Sequence, residues 1–304
     1  MAQLIKLQDY ISRYETDIYK YPGEYILAKK QHWETMKQKW TEQRLGLMQD
    51  PAPSEKVKPP FKWKRLFKRQ GKEEDDLLPP PEPPMSLEQA KQTFLDDIFS
   101  VQLKWASSTL WETSFLDKDY KCDKHLKYLL QRFPDTFLIM YAPLVKVKQA
   151  AMEINTILIG PLGIEIIHFM ETSANSVILP ADNRIWYIED QQSRSKIISP
   201  MFALNRSETY VKSVLSKYDI DFPYKKVILA PDNQFKSPEE SFHTSCIGKD
   251  EFQKWFEEKR KLHSPLKHMQ LKVAEALLKH SQTTAIRRPE WGEEEQEFIN
   301  GESI

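Results

Sequence analysis

A chain of 304 residues with 44 basic and 44 acidic side chains has no formal net charge, so bulk charge selects no class of partner. That length holds one sizeable core with appendages, or two small domains. Two cysteines, Cys122 and Cys246, make neither a metal-ligand spacing nor a disulfide framework, which points to a reducing compartment.

At the start of the chain, Lys6 and Asp9 interrupt any apolar signal core. No stretch reaches the ~18–20 apolar residues that span a bilayer, and the expectation is a soluble cytoplasmic protein. Leu4, Leu7, Ile11, Tyr14, Ile18 and Tyr21 alternate by threes and fours, the seam of an amphipathic helix, and Pro22-Gly23 interrupts it. Ile26, Trp33, Trp40 and Leu47 then recur every seven residues. Residues 1–50 therefore read as a helical hairpin or coil-like arm, packed on the protein's own body or on a partner or second copy.

Residues 51–84 are a proline-rich linker that cannot continue a helix. Between Lys56 and Lys72 it holds eight basic residues and no acidic one, interleaved with Phe61, Trp63 and Phe67. Lys62, Lys64, Arg65, Lys68 and Arg69 are the candidate nucleic-acid contacts, because cations meet phosphates while aromatics stack on bases. A solvated linker or a membrane-surface segment has the same composition.

Ser86 to Gln89 is a capping pattern that opens a helix through Trp105, and a second helix runs from about Asp119 to Phe133. Phe137–Tyr141 and Leu144–Val147 read as short strands. The stretch Glu153–Glu171 is the centre of the core. Two apolar, β-branched runs flank Gly160-Pro161-Leu162-Gly163, a tight turn. Residues 176–179 and 184–188 form a further hairpin, and Ser199-Pro200 opens a helix. Val227–Ala230 is a buried strand. Asp250 and Gln253 open a helix carrying Phe252, Trp255 and Phe256, and residues 264–281 form another. From Glu290 onward six glutamates and no basic residue make an acidic tail. No phosphate loop, zinc pattern, HExxH or nucleophile elbow occurs.

The order from about Asp119 to Lys259, with Leu129–Pro134, the Gly160-Pro161-Leu162-Gly163 hairpin, Trp186, Ser199-Pro200, Leu204 and Arg206, resembles the bacterial nuclease-related domain (NERD) family, a branch of the PD-(D/E)XK nuclease fold. The resemblance covers about half the chain. It implies an α/β (α+β) fold, a mixed sheet flanked by helices, over residues 85–262. A C-terminal helix and acidic tail follow over 263–304, and the helical arm precedes. It also implies a site made of an Asp at the start of the hairpin's first strand and a Glu and a Lys, two residues apart, near the end of its second. Two carboxylates hold Mg²⁺ or Mn²⁺ and the Lys orients water.

This chain has Asn155, His168 and Met170 at those places. An amide and an imidazole are poor ligands for a hard cation, and a thioether cannot orient water electrostatically. The expectation is a catalytically inactive nuclease-related protein that needs no cofactor and binds DNA, RNA or a protein partner without cleavage. One alternative is a Mg²⁺- or Mn²⁺-dependent nuclease whose site has moved to Glu153 and Asp123. The other is an assembly protein acting through residues 1–50.

Overall fold

The computed structural model describes residues 1–44, 86–147, 150–190, 193–236, 243–262 and 264–288. In chain order it contains β1 (Gln3–Leu7), α1 (Arg13–Thr16), α2 (Tyr21–Arg44), α3 (Leu87–Trp105), β2 (Glu112–Thr113), a 3-10 turn at Lys118–Lys121 and α4 (Lys124–Arg132). Then come β3 (Leu138–Tyr141), β4 (Leu144–Val147), β5 (Ala150–Glu153), β6 (Thr156–Gly160), β7 (Gly163–Phe169), β8 (Val177–Pro180), β9 (Ile185–Glu189) and β10 (Arg194–Ile198). The remainder is α5 (Met201–Lys217), β11 (Tyr224–Leu229), β12 (Gln234–Phe235), β13 (Thr244–Ile247), α6 (Lys249–Arg260), α7 (His268–Lys279) and β14 (Ile286–Arg287).

Six strands form the main sheet in the order β1-β3-β6-β7-β11-β13. It is mixed: β3–β6 and β6–β7 are antiparallel, while β1–β3, β7–β11 and β11–β13 are parallel. Parallel neighbours need crossover connections that lay helices on the faces. Side chains alternate accordingly. Met140, Ile157, Ile159, Ile164 and Ile166 pack with residues of α3, α5 and α7 in one core. Ile139, Leu158, Ile167, Val227 and Leu229 pack with α3, α4 and α6 in the other. The expected mixed sheet flanked by helices is therefore present. A four-stranded sheet, β10-β9-β8-β12, and two ribbons, β4–β5 and β2–β14, complete it.

The β6–β7 hairpin sits at the sheet centre as its apolar composition requires. Its register runs from Thr156↔Ile167 to Gly160↔Gly163 around Pro161-Leu162. Both glycines permit close approach. A Cβ on Gly160 would stand 2.7 Å from the Phe137 ring, and one on Gly163 would stand 2.7 Å from the Pro223 carbonyl oxygen. The first clash is with a side chain, whereas the second is with backbone entering β11. Gly163→Ala is thus expected to destabilise the fold by roughly 1–3 kcal/mol, the cost of forcing volume into a packed site. Urea unfolding checks this, and an unchanged midpoint would show that β11 yields freely.

The first segment differs from its expected helix. Gln3–Leu7 is a strand with all five residues buried, paired in parallel to β3. An amphipathic helix would have left Ile5 outside its stripe. In the strand Ile5 enters one core while Leu4 and Leu7 enter the other, the register shift between Leu4 and Lys6 putting Leu4 and Leu7 on one face. Pro22-Gly23 does not interrupt a helix either. It lies in the first turn of α2, where a missing N–H is harmless. Of the two expectations for this stripe, packing on the protein's own body holds: Leu4, Leu7, Ile11, Tyr14 and Ile18 are all buried within the chain. Trp33 of α2 rests on Phe94 of α3, with ring centroids 5.1 Å apart.

Toward the other end of the chain, α7 is part of the main core through Val273, Ala274 and Leu277. The helix expected to be capped by Asp250 is capped two residues earlier, where the Gly248 N–H donates to Glu251 Oε2 at 3.1 Å. β10 and β13 had no sequence expectation. β10 is short and largely exposed, so it lacks the apolar run that marks a strand. The basic stretch from Lys56 to Lys72 and the acidic tail lie outside the described residues.

Candidate functional site

One step beyond the last β6–β7 pair, Thr156↔Ile167, stand Asn155 and His168. Antiparallel pairing makes them cross-strand neighbours. His168 Nδ1 and Asn155 Oδ1 are 2.8 Å apart. Both the backbone N–H and the Nδ2 of Asn155 donate to Ser207 Oγ on α5, each at 3.0 Å. Ser207 is fully buried, and its hydroxyl donates to Ala203 O at 2.9 Å.

The chain of donors sets the protonation pattern. With its proton committed to Ala203, the Ser207 oxygen is an acceptor, so the Asn155 amide must turn its NH₂ toward it. The Asn155 oxygen then faces His168, and Nδ1 must carry the imidazole proton. Nε2 is left with the lone pair. Burial lowers the His168 pKa from its ordinary value, so the ring is neutral at pH 7. The result is an oriented, half-buried imidazole that can accept a proton at one defined atom.

That burial has a stability consequence. As pH falls through about 6.5, the unfolded chain takes up the His168 proton before the folded one does. Stability should be complete above that value and decline below it. His280 shifts in the same direction, by burial first and then by Lys217. Urea midpoints at pH 7.5 and 5.5 should differ for the unaltered protein and differ less in His168→Gln. An equal difference in both would assign the effect to other groups.

Met170, on the same strand face as His168, is buried in the core, and its N–H donates to Leu229 O at 2.8 Å. It packs rather than reaches toward a ligand. Asp123 caps α4, accepting from Leu126 N at 2.9 Å and from the Tyr141 hydroxyl at 2.8 Å. Glu153 ends β5, opposite Leu144 in a separate ribbon. It therefore does not share a continuous strand with Asn155. Both carboxylates lie near Tyr120. Its phenol pKa is raised by burial first, then by Tyr10, Glu153 and Asp123. Among the described residues no three His, Cys, Asp or Glu side chains converge as a metal-binding group.

Lys62, Lys64, Arg65, Lys68 and Arg69 lie outside the described residues. Elsewhere, Arg184, Arg194 and Lys196 are exposed on or beside the β9–β10 hairpin, with the Arg194 guanidinium 4.2 Å from the Tyr187 ring centroid. Two elements had no sequence signal. Ser207 is one serine within a helix. The other is the His125–Glu171 contact of 3.0 Å, with the His125 ring stacked on Phe169 at 4.4 Å. Among the described residues no helix is long and apolar enough to cross a membrane.

No family model matches the chain. No solved structure matches it. It is similar to the RNA 2',3'-cyclic phosphodiesterase of Geobacillus stearothermophilus, with 39% identity over 113 residues, 34% of this chain and 36% of that protein. The chain thus spans about a third of the length of the curated relative it matches. This match overturns the expectation of an inactive nuclease-related domain that binds without cleaving, because the similarity is to a protein named for phosphodiester chemistry on RNA.

Proposed function

We propose that this chain is an enzyme acting on RNA phosphodiesters, with His168 as general base. The observation that carries the reading is the Ser207–Asn155–His168 chain, which leaves a neutral imidazole with its acceptor nitrogen at Nε2. Similarity to an RNA 2',3'-cyclic phosphodiesterase supports the substrate class. The exposed Arg184, Arg194 and Lys196 supply cations for the backbone.

In the proposed step, water attacks the phosphorus of a 2',3'-cyclic phosphate. Nε2 of His168 takes the water proton as the new P–O bond forms. The bond to one ribose oxygen breaks, and that oxygen takes a proton from solvent, leaving a terminal phosphomonoester. Asn155 Oδ1 holds the Nδ1–H throughout, so the imidazolium that forms keeps its orientation.

The scaffold is read as nuclease-related, of the PD-(D/E)XK kind. Supporting this are the central hairpin turning between Gly160 and Gly163, helices on both faces, and Asn155, His168 and Met170 on one side of the hairpin. An exposed free thiol at Cys122 and an RNA substrate both fit the cytoplasm.

The test is incubation with a short RNA ending in a 2',3'-cyclic phosphate, followed by ³¹P NMR with and without added Mg²⁺. Conversion to the phosphomonoester is the expected result. An RNA end left intact under both conditions would sink the proposal.

A further inference from the structure

At the end of β7 away from His168, beside the β6–β7 turn, opens a cavity of about 380 Å³. That volume lies in the range of small-molecule sites. Phe137, Leu158, Ile164 and Leu262 give it an apolar wall. At its side the rings of Tyr224 and His243 stack, with centroids 6.4 Å apart and planes within 24°.

The charged element of the cavity is Glu165, which points to the sheet face opposite His168. Its buried carboxylate accepts from Trp255 Nε1 at 3.2 Å and pairs with Lys225 at 3.1 Å and with Lys259. Two ammonium groups on one carboxylate leave a net positive charge at the wall. An ammonium carries three N–H donors, and contact with Glu165 occupies one direction of each. Lys225 is 43% exposed and stands toward solvent, whereas Lys259 is 16% exposed.

The two ammonium groups thus bring N–H donors and an excess of positive charge to the edge of a cavity whose wall is apolar. We infer that this cavity binds a ribonucleoside monophosphate. The base lies along the apolar wall and the Tyr224 ring, and the phosphate meets Lys225 and Lys259. A phosphate monoester is an anion and offsets this excess of one positive charge. This site is independent of His168 and of the reaction assigned to it.

Titration calorimetry on the full chain tests the inference, with adenosine 5'-monophosphate, inorganic phosphate and benzoate as separate probes. The nucleotide should bind saturably and more tightly than either fragment-like probe. Lys225→Glu should weaken it by about tenfold or more, the scale of one charge-assisted contact, and Tyr224→Ala should weaken it by removing the ring along which the base lies. His168→Ala should bind it as the unaltered protein does, so a failed RNA reaction and a failed cavity are distinguishable. The inference is overturned by absence of saturable nucleotide binding, by binding that both cavity substitutions leave unchanged, or by benzoate binding as tightly as the nucleotide.

Discussion

Exchanging His168 for alanine is expected to lower hydrolysis of an RNA 2',3'-cyclic phosphate by roughly 10²–10⁴-fold, the contribution of a positioned general base. The substitution removes the acceptor nitrogen but leaves Asn155 bonded to Ser207, so circular dichroism and the urea midpoint should report a folded protein. The pH profile separates a base from a packing residue. Burial lowers the His168 pKa, so the ring stays deprotonated below the pH at which an ordinary histidine protonates. Activity of the unaltered protein should therefore persist below pH 6.5 and fall only as pH drops through the lowered value. Ser207→Ala should give a smaller loss and move that acidic limb, because the Asn155 amide is then free to turn. A His168→Ala protein that keeps its activity within a factor of about two would remove the base from the mechanism.

Replacing Lys6 by methionine is expected to cost roughly 3 kcal/mol of stability, the low end for removing one partner of a buried ion pair. Lys6 is fully buried, and burial lowers its pKa against the opposing pull of Glu15. Its three donors meet three acceptors: Tyr10 O at 2.9 Å, Glu15 Oε1 at 2.6 Å and Thr283 Oγ1 at 2.6 Å. The same Glu15 accepts from the Ser12 N–H in a capping box, and Thr283 donates to its other oxygen at 2.7 Å. One ammonium thus ties β1 to α1 and to the segment after α7. Methionine retains most of the volume and loses every donor, leaving a carboxylate that is 21% exposed without its cation. Denaturant unfolding of Lys6→Met, Glu15→Gln and the pair gives the coupling directly. A Lys6→Met protein within about 0.5 kcal/mol of the original would show that water replaces the ammonium without penalty.

Local patterns were legible where one element carried its own signal. The capping box at Ser86 and Gln89 marks the start of α3, and both of its hydrogen bonds are present. Ser199-Pro200 marks the start of α5 to within one residue: Pro200 rather than Ser199 is the cap and Met201 is the first helical residue, with Ser199 Oγ accepting from Met201 N at 3.3 Å. The β6–β7 hairpin was legible for the same reason, since a run of β-branched residues around Gly-Pro-Leu-Gly has few alternatives. β1 was misread because Leu4, Leu7 and Ile11 fit a helical seam when Ala2 and Ile5 are ignored. Two-sided burial, which makes use of both sets, appears only once β3 lies alongside.

The candidate site divides in the same way. Asn155 and His168 could be paired from the hairpin register, and their chemistry departs from a carboxylate metal site by residue type alone. The expectation of an inactive nuclease-related domain drawn from that departure is overturned by the similarity to an RNA 2',3'-cyclic phosphodiesterase. What the sequence determined by itself was the apolar hairpin, the main helix starts and the residue types standing at the sheet centre, since these depend on neighbours a few positions apart. Only the tertiary structure decided that β1 completes the sheet, that Lys6 closes the fold onto Glu15 and Thr283, and that Ser207, 52 residues from Asn155, orients the imidazole. Those contacts join segments whose separation no local pattern encodes, and their energies exist only after the intervening chain has been packed.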